Sequence, residues 1–142
     1  MIVFEYSTDF ELNNENIYRD WISGLIELYG SELGEITYTF MTDVDLLKYN
    51  VQYLNHDTYT DIISFDYTVG KVISGDILIS LDRVKENSLK YSIEFHVELL
   101  RVMSHGVLHY LGYKDKSPKD IQTMRTQENI AIKLFSEFHV EQ

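Results

Sequence analysis

The chain has 142 residues, about one domain's length, and 44% of them are hydrophobic, so a sizeable core can form without staples. It holds no cysteine, which excludes disulfides and thiolate metal sites and leaves nitrogen and oxygen donors for any metal. The formal net charge of −11 argues against a nucleic-acid binder of the usual basic kind, so an RNA-directed function needs a local basic patch, a metal or a partner.

The N-terminal MIVFEYS reads as a strand. It has no basic n-region and no long apolar run, so no signal peptide is expected. No stretch approaches the roughly 20 apolar residues of a membrane span. NNENIYRDWISGLIELYG places Ile17, Trp21, Ile22, Leu25, Ile26 and Tyr29 at helical spacing, with Gly30 where a C′ residue belongs. EITYTFM alternates as a strand, with Ile36, Tyr38 and Phe40 on one face. TDVDLLKYNVQYLN predicts a helix with Thr42 as N-cap, and Asp43 and Asp45 sit in a first turn that favours anions.

DIISFDY and KVISGDILIS are two strand-like runs around TVG and read as a hairpin. LDRVKENSLK predicts a short helix. A longer helix follows over SIEFHVELLRVMSHGVLHYL and stops at Gly112. The last helix opens with Ser117 as N-cap, Pro118 at N1 and Asp120 at N3. With no repeat or linker, residues 1–142 are expected to form a single α+β domain, a small mixed sheet covered by helices.

His105 and His109 stand four apart on the penultimate helix, which brings both rings to one face. Two imidazoles there can reach one ion at about 2.0–2.1 Å. By itself the pair also fits two ordinary helix-face histidines. The residues that follow favour a ligand pair: Gly112 ends the helix, and a short turn before Ser117 can bring Asp115 back over the histidines as a third, oxygen donor. The competing arrangement pairs Asp115 with Lys114 or Lys116. Gly106 is expected to let another backbone approach closely, and it stands where a His-Glu-x-x-His metalloprotease carries its general base, so a peptidase reading loses its catalyst.

Three motifs carry a resemblance. His105-Gly106-Val107-Leu108-His109-Tyr110-Leu111-Gly112-Tyr113-Lys114-Asp115 is similar to the His-Gly-x-Leu-His-Leu-x-Gly-Tyr-Asp-His pattern of the YbeY family. Thr60-Asp61-Ile62-Ile63-Ser64-Phe65 and Gly75-Asp76-Ile77-Leu78-Ile79-Ser80 resemble that family's Thr-Asp-Val-Leu-Ser-Phe and Gly-Asp-Ile-x-Ile-Ser, and Leu54-Asn55 resembles a preceding Leu-Asn. The resemblance implies a zincin-like fold with the metal-site helix near its centre. It implies a metal-dependent endoribonuclease acting on single-stranded ribosomal RNA, in small-subunit RNA maturation and ribosome quality control. The ribosomal small subunit would be its partner and the cytoplasm its location. One divalent ion is implied, held by His105, His109 and the residue at position 115.

Two departures matter. Asp115 stands for the family's third histidine, and a carboxylate there is expected to favour harder ions such as Mn or Fe beside Zn, with Ni also compatible. The interval His56-Asp57-Thr58-Tyr59 lacks the family's usual arginine, for which Arg101 and Lys114 are the substitutes considered. Asp61 is a further candidate catalytic residue acting beside the ion, and Thr60 a candidate for lining the cleft. Asp76 reads as a residue of a bulge after Gly75, His56 as a solvated loop histidine, His96 as structural and His139 as part of a tail. Two alternatives stay open: another enzyme with a two-histidine, one-carboxylate site, such as an Fe(II) oxygenase, and a non-catalytic ribosome-biogenesis factor.

Overall fold

A computed structural model describes residues 1–54 and 60–138, so the 55–59 interval with His56, and His139, lie outside the described residues. The elements follow the predicted order: β1 (Ile2–Tyr6), α1 (Glu15–Leu28), β2 (Glu32–Met41), α2 (Asp43–Tyr49), β3 (Ile62–Asp66), β4 (Val72–Ser80), α3 (Leu81–Lys90), α4 (Phe95–Tyr110) and α5 (Pro118–Phe138). The four strands form one mixed sheet in the order β1-β2-β4-β3. The β1–β2 and β2–β4 pairs are parallel, and the β3–β4 hairpin is antiparallel. Among the described residues no helix is long and apolar enough to cross a membrane.

Strand alternation divides the sheet into two faces. Ile36, Tyr38 and Phe40 of β2 and Ile73, Ile77 and Ile79 of β4 share one core with Trp21, Ile22 and Leu25 of α1, Met103 and Val107 of α4 and Phe135 of α5. The opposite face carries a smaller cluster in which Leu46 of α2 meets Met41, Ile63 and Leu78. The predicted caps are present: Thr42 Oγ1 accepts from Asp45 N at 3.2 Å, and Ser117 Oγ from Asp120 N at 3.0 Å. His96, read as structural, lies edge-on to Tyr18 and Phe135.

Three expectations need correction. The helix predicted through residue 55 is α-helical only to Tyr49 and continues as a π-helical turn, Asn50–Leu54, whose buried Asn50 donates from Nδ2 to Thr60 Oγ1 at 2.9 Å. β2 begins at Glu32, ahead of its apolar alternation, because Glu32 and Leu33 pair with Val72 and Ile73. The irregularity lies between Leu33 and Ile36, while Gly75 and Asp76 pair in regular register, so no bulge accounts for Asp76.

Hydrogen bonds seat α4 on the sheet. Tyr38 Oη donates to Met103 O at 2.8 Å, and Tyr110 Oη sits 3.0 Å from both Phe65 O and Asp76 O. Gly106 is shielded by the tips of Ile77 and Ile62, which a Cβ there would meet at 2.9 and 3.2 Å; side chains rather than a second backbone use the space. The tight backbone approach is at Gly75, where a Cβ would lie 2.4 Å from Phe65 O and 2.5 Å from Tyr110 Oη. Gly75→Ala should therefore lower stability by about 1–3 kcal/mol through overpacking. Urea unfolding checks this, and an unchanged midpoint would contradict the packing account.

Candidate metal centre

α4 carries both histidines on one half-buried stripe, and its other sides, with Leu99, Leu100, Met103, Val107 and Leu108, are buried. The helix ends in a Schellman motif: Gly112, at φ 106, donates to His109 O at 3.0 Å, and Tyr113 N donates to Leu108 O at 3.0 Å. Tyr113 then packs edge-on against Tyr29 at the end of α1, 5.7 Å between ring centres. With Ser117 capping α5, the turn over residues 111–117 is pinned at both ends, and it returns Asp115 to the histidines.

Asp115 Oδ2 lies 3.2 Å from His105 Nε2 and 3.2 Å from His109 Nε2, and the two nitrogens are 3.0 Å apart. Ligands at about 2.0–2.1 Å from a tetrahedral ion stand roughly 3.3 Å from one another, so this triangle has the size of one ligand face. The donor set, two imidazole nitrogens and one carboxylate oxygen, suits a divalent ion of the Zn, Fe, Ni or Mn group.

The tautomer is set from behind. His105 Nδ1 lies 2.6 Å from Glu128 Oε2, so its proton faces Glu128 and the Nε2 lone pair faces the triangle. Glu128 on α5 is only 4% exposed. Its Oε1 accepts from Arg101 Nη1 at 3.1 Å, and Arg101 Nη1 also reaches Asn129 Oδ1 at 3.0 Å. Burial works against a charged His105, but the Glu128 hydrogen bond and the charges of Glu128, Asp115 and Asp61 outweigh it, so its pKa is raised. Burial also raises the pKa of Asp61, opposed by the charge of His105, and raises that of Glu98, opposed by Arg101.

These groups line one cleft of about 330 Å³. Asp61, Glu98, Asp115 and Glu128 face Arg101 and Arg125 in it, an excess of two negative charges that one divalent ion balances. Asp61 lines this cleft from the start of β3, while Thr60 is engaged with Asn50. Asp76 does not approach the centre: it lines a groove on the opposite sheet face with Tyr67 and Thr37. Of the two substitutes considered for the missing arginine, Arg101 lines the cleft but is held by acidic partners, and Lys114 is exposed outside it.

Sequence reasoning missed Glu128. Its signal was a carboxylate on the stripe of α5 that otherwise buries Met124, Ala131 and Phe135. Glu128→Gln should weaken metal binding about 10- to 100-fold, read by competition with a chelating dye. In the metal-free chain the raised His105 pKa means that this contact stabilises at acid pH, below the ordinary imidazole value, and fades as pH rises through the raised value. Glu128→Gln should lower the His105 pKa in an NMR titration of that chain; an unmoved pKa would show that Glu128 does not act on the ring.

The family model described as Endoribonuclease YbeY matches residues 4–136. Endoribonuclease YbeY of Flavobacterium johnsoniae is 53% identical over 142 residues, all of both chains. That of Flavobacterium psychrophilum is 52% identical, over all of this chain and 99% of its own. The solution structure of TM1509 from Thermotoga maritima has a TM-score of 0.69 at 20% identity, covering 96% of this chain and 90% of that one, and so shares the fold. With the family pattern matched across nearly the whole length and relatives this similar end to end, the chain belongs to the YbeY family.

Proposed function

We propose that this protein is a metal-dependent endoribonuclease that hydrolyses phosphodiester bonds in single-stranded ribosomal RNA, with His105, His109 and Asp115 holding one divalent ion. The observation that carries the reading is the triangle of donor atoms, 3.0–3.2 Å on a side, opening on a cleft in a chain of this family. An ion held by these residues would supply an activated water as nucleophile and polarise a phosphoryl oxygen. The chain's own residues do the rest. Glu128 holds the His105 proton on Nδ1 and so aims Nε2. Arg101 donates to the Glu128 carboxylate and holds it in place. Asp61, which lines the same cleft and whose pKa burial raises, takes in this reading the role of carrying a proton between the attacking water and the departing oxygen.

Zinc is the proposed ion, and the single oxygen ligand brings Mn, Fe and Ni within reach. Residues 1–142 act as one functional unit in this reading, in the cytoplasm, with the ribosomal small subunit as partner and maturation of its RNA as the task. An Fe(II) oxygenase shares the donor set, but the family to which the chain belongs favours hydrolysis.

A chelator should abolish cleavage of single-stranded ribosomal RNA, and Zn or Mn should restore it; cleavage after verified metal removal would defeat the reading. His109→Ala should lose the ion, and Asp115→Asn should weaken its binding, while Asp115→His should shift preference toward Zn. Metal analysis with calorimetry reads all three. Affinity of Asp115→Ala within about threefold of the parent, roughly 0.6 kcal/mol, would remove Asp115 from the ligand set. Ribosome co-sedimentation without any cleavage by the metal-loaded chain would favour the non-catalytic factor.

A further inference from the structure

The cleft extends beyond the metal ligands, and its outer part has a different chemistry. Tyr91, just after α3, is 59% exposed and lines it, together with Ile121 and the buried Met124 of α5. The backbone that presents Tyr91 is fixed: its N–H donates to Asn87 O at 3.0 Å, Ser92 follows at φ 56, and Ile93 N reaches back to Ser88 O at 3.0 Å. Lys90 Nζ stands 5.5 Å from the centre of the Tyr91 ring, so an ammonium accompanies the aromatic face.

The two guanidinium groups of the cleft are in different states. Arg101 is 15% exposed and bound to Glu128 and Asn129. The side chain of Arg125 is 58% exposed, and its nearest contact to Glu128, 3.8 Å between Nε and Oε1, lies beyond hydrogen-bond distance. Arg125 therefore offers a cation to a ligand at little cost in internal pairing.

Single-stranded RNA alternates an anion with a flat apolar ring. The cleft contiguous with the candidate metal centre offers a nucleotide an aromatic face, an apolar floor and an available guanidinium. We propose that this outer cleft is the subsite for the nucleotide next to the scissile phosphate, with Tyr91 stacking on its base and Arg125 contacting its phosphate. The assignment rests on the endoribonuclease reading and gives it a substrate contact that the metal ligands do not supply.

The test uses the metal-loaded full chain and a labelled short single-stranded RNA, with anisotropy recorded at low temperature before cleavage sets in and repeated over a salt series. Tyr91→Ala should weaken binding about tenfold, the equivalent of about 1.4 kcal/mol, and leave the salt dependence unchanged. Tyr91→Phe should bind like the parent. Arg125→Gln should lower the slope of log affinity against log salt by about 0.7, the share of one phosphate contact on a single strand, and Arg125→Lys should restore it. Tyr67→Ala, which removes an equally exposed tyrosine (59%) on the other face of the sheet, should change nothing. Metal content, measured on every variant, should stay at one equivalent. Binding within twofold of the parent for Tyr91→Ala, or an unchanged slope for Arg125→Gln, overturns the subsite while leaving the nuclease reading intact. A metal-loaded parent that neither binds nor cleaves RNA overturns both.

Discussion

A buried carboxylate organises this molecule's polar interior. Glu128 lies on the face of α5 that otherwise packs into the core, and an uncompensated charge there costs several kcal/mol. It is compensated twice, by the His105 ring at 2.6 Å and by Arg101 at 3.1 Å, both from α4. The pairing sets the rotation of α5 against α4, because the two contacts come from residues one turn apart on one helix. It also leaves the metal-facing nitrogen of His105 with its lone pair free, so helix packing and ligand chemistry depend on the same oxygen atoms.

The sheet contributes by fixing α4 along its length. Tyr38 of β2 donates to the helix backbone at its middle, Tyr110 ties its end to strand backbone, and Gly75 leaves the room that the second phenol occupies. The cleft then forms where α3, α4 and α5 diverge from the start of β3. Its lining combines the carboxylates Asp61, Glu98, Asp115 and Glu128 with Arg101, Arg125 and the exposed Tyr91. That mixture lets an acidic chain meet an anionic substrate, because an ion bound at the candidate centre would offset the carboxylates.

Much of this was legible in the sequence, for local reasons. Helical spacing marked α1 and α4, the Ser117-Pro118 start marked α5, alternation marked β2 and the hairpin, and Thr42, Gly30 and Gly112 marked further ends through the hydrogen bonds that their residue types make. The two histidines and Asp115 were legible because they are near neighbours in the chain. What was not legible depends on distant partners. The π-helical turn serves an Asn50–Thr60 bond, the early start of β2 serves pairing with β4, and the Glu128–His105 contact joins residues 23 apart. The place of Asp76 followed from parity: Gly75 and Ile77 face α4, so the residue between them faces away, and only the position of α4 over Ile77 shows which face matters.

The three candidate ligands span only residues 105 to 115, and the chain between them is already shaped by the helix end and the tyrosine contact. An ion held there closes a loop that is closed without it. Loop-closure entropy depends only weakly on length, about 0.6 kcal/mol per doubling, so even a ring this short would restrain the unfolded chain, but only locally. The topology instead rests on long-range contacts such as Trp21 Nε1 to Ala131 O and Tyr38 to Met103. An ion bound at the candidate centre would therefore add stability by mass action, while contacts elsewhere set the shape of the scaffold, so one apo framework could receive any ion that its donor set accepts.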